Sequence, residues 1–336
     1  MAWLALVASI ALQAVITALL GLSLTPADSL LLLAIAAAAC ALLGALAGRG
    51  NRTTSVARAP DRRALVSLNV WTAVSFVAFF LGVAVHSAAV VFTLEASFAP
   101  LAVIACSAVR AQRGGSEARP GPARWWAACL LAALGTALVV VLAQSDSVEM
   151  IALLVAAALG VIAGVAAGGV ATVCRDLGRN GIGVGQVMAQ RFYATWFLAT
   201  TALLTLVPSG LLAPPALHVG LVGVAAFASV VVPLFLLQYA MQRLAPVSVT
   251  AALGTMPVIT IGVELASGRA ISFAVLLLAL LIVPASLALL VTPHERKRTS
   301  SQPSTPSTRV SVANTPAAEG TCVYAHATAQ PVGTNR

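Results

Sequence analysis

The sequence predicts an all-α integral membrane protein: ten transmembrane helices arranged as two inverted five-helix repeats, followed by a disordered C-terminal tail. Three observations lead there. Of 336 residues, 60% are hydrophobic and only 9% charged, whereas a soluble domain carries about 25% charged residues. The apolar residues gather in runs close to the roughly 20 residues that a spanning helix needs. The Arg residues between those runs alternate in density from one connection to the next, as cytoplasmic and outer loops do.

The first five runs cover 2–22, 29–47, 68–85, 87–109 and 125–143, and the second five cover 148–173, 187–207, 219–241, 247–266 and 271–291. The third and fourth nearly touch at His86. The opening MAWLALVASIALQAV has no basic leader, so it reads as a retained first helix rather than a cleaved signal peptide. With a cytoplasmic N-terminus, every Arg and the single Lys except Arg269 falls on the cytoplasmic side, while LTPADS, QSDSVE and VPSGLLAPP are neutral or acidic. Both termini are therefore expected in the cytoplasm, with the chain a multi-pass protein of the plasma (inner) membrane. From His294 the sequence becomes rich in Ser, Thr and Pro, which predicts the disordered tail. The expected organisation is a first repeat over 1–145, a second over 146–292 and a tail over 293–336.

The net charge of +9 reads as a topology signal rather than a nucleic-acid surface, because the basic residues sit between apolar runs. The five cysteines form no CxxC pair and His86, His218, His294 and His326 are scattered. No metal site, cofactor motif, nucleophile motif or phosphate-binding glycine loop is present in the sequence. The chain reads as not an enzyme, and without a nucleotide motif its energy must come from a gradient or from its substrate.

Thr93 to Pro100 in the fourth run, TLEASFAP, aligns with Thr250 to Pro257 in the ninth, TAALGTMP. These are the same ordinal helix of each half. Because five is odd, the second half enters the membrane upside down, a recurrent plan in secondary transporters. Three stretches carry a resemblance: LNVWTAVSFVAFFLGVAVHSAAVVFTLEASFAPLAV, QVMAQRFYATWFLA and VPLFLLQYAMQRLAPVSVTAALGTMPVITIGVEL. Together they resemble the EamA-type transporters of the drug/metabolite transporter superfamily. The resemblance implies a ten-helix carrier that exports amino acids or other small metabolites. It departs where many members have a Gly-Glu pair well after the ninth-helix proline: here Glu264 follows Val263 and lies close to Pro257, so no role is carried onto it.

Glu95 stands about eight residues from the outer end of its run, which at about 1.5 Å per residue places it about 12 Å deep. A carboxylate there should face the bundle interior or a wet cavity, or remain protonated. It can couple a proton, hold a cationic substrate group, or serve as a packing carboxyl. At about 100° per residue Phe92 and Phe98 share its face, so Glu95, Phe92 and Phe98 are expected to line a cavity. Thr93 and Ser97 point to the other side and match Thr250 and Gly254, a small-residue pattern suited to helix packing. Asn69 and Gln238 are further candidates for substrate contact, with capping or interhelical hydrogen bonding as the alternative. Arg191, close to a cytoplasmic helix end, is expected to snorkel to the interface, with a partnership to Glu95, which lies at a different depth, as the alternative. Gly160, Gly164 and Gly168 form a packing ridge, and Pro100, Pro257 and Pro284 mark kinks.

The expectation is a secondary-active carrier of a small metabolite or drug-like molecule, working by alternating access with the bilayer and a small-molecule substrate as partners. Proton coupling through Glu95 belongs to that expectation, and no motif bears on oligomeric state. The competing class is an integral membrane enzyme or a non-transporting assembly subunit; the sparse polar residues argue against an enzyme.

Overall fold

The computed structural model describes residues 1–20, 26–50, 61–86, 88–114, 119–145, 150–206, 220, 223–224, 226–268 and 271–291. Among these there is no strand, and nearly all are helical. Its compact unit runs Met1–Glu295. The predicted disordered tail lies outside the described residues, as do most of the predicted outer loops.

The first five helices are α1 (Ala2–Leu20), α2 (Pro26–Gly50), α3 (Arg62–Val85), α4 (Ala88–Gln112) and α5 (Pro122–Ser145). Proline begins α2 and α5, where its missing N–H and fixed φ are harmless. The Asp61 carboxylate caps α3 by accepting the Arg63 N–H at 3.0 Å. His86 ends α3, which resolves the near-contact between the third and fourth runs.

The following part begins with one long helix, α6 (Met150–Arg179). It ends in a tight turn where Gly181 takes φ +78, a conformation open to glycine without steric cost. Shorter pieces follow: α7 (Val184–Arg191), α8 (Tyr193–Leu206), a π-helical turn (Phe227–Val231) running into α9 (Val232–Arg243), α10 (Pro246–Leu253), α11 (Met256–Ala266) and α12 (Phe273–Val291). The α10/α11 break at Gly254 and Thr255 precedes Pro257, which cannot donate to the carbonyl four residues back. The α7/α8 break at Phe192 has no proline.

Seven segments among the described residues are long and apolar enough to cross a membrane, including Arg62–Val85, Ala88–Gln112 and Met150–Arg179, and Ala2–Ile16 is a shorter apolar helix. Large apolar side chains cover the outside: Trp126, Ile151 and Phe273 are 77%, 76% and 78% exposed. Such surfaces are tolerated in lipid and not in water. The chain is a multi-pass membrane protein.

The interior is closed by small residues. Gly160, Gly164 and Gly168 lay α6 against α4 so closely that a Cβ on Gly164 would sit 2.6 Å from the Glu95 carbonyl oxygen and 3.0 Å from its Cα. On the other side of α4, Gly135 of α5 faces the Ser97 side chain, and Gly254 packs against Ser286 of α12. Thr93, Ser97 and Thr250 are all buried. Close backbone approach of this kind supplies dispersion contacts where lipid removes the hydrophobic driving force.

Candidate functional site

A cavity open at its mouth lies among α1, α3, α4, α6, α7, α9, α10 and α11. Its walls are mostly apolar. Phe92 and Ala99 come from α4, Phe76 from α3, Leu237 and Met241 from α9, and Met256 from α11. The polar groups are few: Gln13 on α1, Ser75 on α3, Glu95 on α4 and Arg191 at the end of α7.

Glu95 enters the cavity from α4, with its backbone fixed by the Gly164 contact and the buried Ser75 hydroxyl beside its carboxylate. Phe92 lines the same wall and stacks edge-on with Phe79 at 4.5 Å between ring centres. Phe98 does not belong to this wall. It packs with Val90, Val91 and Leu94 in a separate apolar cluster. The helical phase explains the correction: taking Glu95 as zero, Ala99, Phe92 and Ala96 lie at about +40°, +60° and +100°, whereas Phe98 lies at about −60°. The cavity is centred to one side of Glu95, away from Phe98.

Arg191 is the residue that the sequence reading misplaced. It does not snorkel; it is buried, 3% exposed, and its side chain lines the cavity. The break after α7 is the reason, because it ends a helix inside the bundle and leaves Arg191 at the negative end of that helix's dipole. Its Nε donates to Thr72 Oγ1 at 3.0 Å and its Nη1 to Gln238 Oε1 at 2.8 Å, while the guanidinium lies 5.2 Å from the centre of the Phe192 ring. Two of five N–H donors are thereby fixed, and the planar group is aimed. No ion pair joins Arg191 to Glu95 among the described residues.

Asn69 and Gln238 both stand behind Arg191 rather than on the cavity wall. The Gln238 amide oxygen also accepts from Cys174 Sγ at 3.3 Å, so two donors converge on it. Asn69 Nδ2 donates to Leu65 O at 3.1 Å and to Gln190 O at 2.6 Å, and its Oδ1 accepts the Ala194 N–H at 3.4 Å. One amide therefore joins the two sides of the α7/α8 break. Their interhelical bonding, the alternative weighed for these residues, is what the geometry contains.

Sequence reasoning also passed over Gln13, Ser75 and Phe76. A glutamine inside the apolar first run was the available signal. Its Oε1 is buried with no hydrogen-bond partner among the described residues. No group of three or more His, Cys, Asp or Glu among the described residues could hold a metal.

No family profile matches the chain, and no curated protein matches it. Ten chains of solved structure do match. One of them, a crystal structure of a protein with no stated activity, is similar with a TM-score of 0.61 and 20% identity, over 88% of this chain and 98% of that one. At that identity the likeness is one of fold.

Proposed function

We propose that the chain is a ten-span secondary carrier of the EamA type, built as inverted repeats over 1–145 and 146–292, that moves a small metabolite by alternating access. The observation that carries this reading is the cavity, because its two charged side chains come one from each half: Glu95 from the first and Arg191 from the second. A site shared between inverted repeats is what rocking one half on the other would expose to each side in turn. The contacts between helices support the same layout. α3 packs on α6 as α1 packs on α9; α4 packs on α6 as α10 and α11 pack on α1; and α4 packs on α5 as α10 and α11 pack on α12.

In this reading α7 with α8, the π turn with α9, and α10 with α11 each make one broken crossing. Both termini lie in the cytoplasm, an orientation supported by the Arg and Lys distribution, and the bilayer of this reading is the plasma membrane. Glu95 is the coupling or charge-recognition group. Flux of a metabolite panel into proteoliposomes holding the full chain, with and without a pH gradient, tests the proposal. At least one compound should move well above empty vesicles, and Glu95→Gln should remove its dependence on the gradient. A panel that never exceeds empty vesicles removes the carrier reading.

A further inference from the structure

We infer that the cavity takes a small organic anion, a monocarboxylate with an apolar body, held through the guanidinium of Arg191. This ligand class rests on the carrier reading for its purpose and on Arg191 alone for its chemistry. A guanidinium stays charged in a protein, and this one is only 3% exposed. What holds it is neutral: the Thr72 hydroxyl, the Gln238 amide oxygen and the Phe192 ring. The ionisable side chains whose charge would reach it, Cys40 and Cys174, are thiols, which are mostly neutral near pH 7. The carbonyl end of α7 adds only a partial negative charge. Among the described residues no carboxylate pairs with Arg191. A cation kept inside a membrane protein without a counter-ion is costly, and an anionic ligand relieves that cost.

The donors left over suit a carboxylate. Thr72 and Gln238 take one N–H from Nε and one from Nη1, so both N–H groups of Nη2 and the second of Nη1 have no protein partner. Arg191 lines the cavity, and the planar fork accommodates the two oxygens of a carboxylate in parallel hydrogen bonds. One guanidinium answers one negative charge. A phosphate ester, which carries close to two, would leave charge unanswered. Phe76, Phe92, Met241 and Met256 give the rest of the ligand an apolar wall, where a hydroxyl-rich body would lose its water without finding partners.

Glu95 is not required to carry a charge. Its carboxyl group already has the Ser75 hydroxyl beside it. An amine, by contrast, brings a second cation towards Arg191, and that repulsion is the element that specificity requires.

The test is equilibrium binding of tritiated 3-phenylpropionate and isocaproate to the purified full chain in a non-ionic detergent at neutral pH, with 3-phenylpropionamide, phenethylamine and L-phenylalanine as competitors. At least one carboxylate should bind, and the uncharged amide and the amine should each compete about 30-fold more weakly or worse, as expected when a buried charge loses its partner. L-phenylalanine, which adds an ammonium to the carboxylate, should bind no more tightly than 3-phenylpropionate. Arg191→Gln should lose carboxylate binding by about 30-fold or more, and Arg191→Lys by about tenfold, because an ammonium has no fork. Glu95→Gln should bind the carboxylate at least as tightly as the parent. The competition series uses the unaltered chain, so it decides the ligand class even where a variant fails to fold. Failure of both carboxylates to bind, equal competition by the amide or the amine, a preference of about tenfold or more for L-phenylalanine, or loss of carboxylate binding in folded Glu95→Gln overturns the inference. Carboxylate binding without flux in vesicles overturns the carrier reading and leaves the ligand class standing; flux of uncharged or cationic compounds alone does the reverse.

Discussion

At the scale of the residue, the site turns on how Arg191 is held. Thr72 supplies one of its two fixed acceptors, and hydrogen bonds to charged groups contribute about 1.5–3 kcal/mol. Thr72→Val keeps the side-chain shape and removes the acceptor, so it should weaken binding of an anionic ligand group by about tenfold or more and also lower the melting temperature, because a buried charged donor loses its partner. Phe98→Leu, on the far side of α4, should leave binding within about twofold; a titration of both variants with one ligand checks the contrast. Glu95 was legible in the sequence because a lone carboxylate in an apolar run has few places to go. Arg191 was not. Four residues from the end of a continuous helix it would reach the interface, and nothing in QVMAQRFYATWFLA marks the end of α7 at Arg191. The bond network that stabilises the break is tertiary, since Asn69 arrives from α3.

At the scale of the element, α4 and α6 form the closest pair around the cavity. A Cβ at Gly164 would press on backbone atoms of Glu95, which cannot rotate away. Gly164→Ala should therefore push the helices apart and cost about 1–3 kcal/mol. Gly262→Ala on α11 meets nothing within 4 Å and should be neutral within about 0.5 kcal/mol or slightly stabilising. Thermal melting of the two variants in one detergent gives the comparison. The ridge at Gly160, Gly164 and Gly168 was readable from spacing alone, as was the helical phase that put Thr93 and Ser97 opposite Glu95. What spacing could not supply was the direction of the cavity as seen from α4, and that decided between Phe92 and Phe98. Proline marked the α10/α11 break but had no counterpart at Phe192.

At the scale of the whole molecule, hydropathy announced a multi-pass membrane protein because composition alone rules out a watery exterior. The Thr-to-Pro correspondence between TLEASFAP and TAALGTMP is the sequence signal on which the proposed two-repeat layout rests. That Glu95 and Arg191 line one cavity was only the lesser reading of the sequence, since their different depths along their own runs argue against it until the helices are packed together. It also bears on kinetics. The guanidinium of Arg191 stands in the cavity with hydrogen-bond acceptors but no counter-ion among the described residues. In the proposed carrier, dissociation of an anionic ligand group would strip that charge of its partner, and the unladen protein would have to change face in that unfavourable state. Turnover with cargo in both directions avoids it. Vesicles preloaded with unlabelled ligand should accumulate the labelled compound several times faster than empty ones, whereas equal initial rates would mean that the vacant site reorients as freely as the filled one.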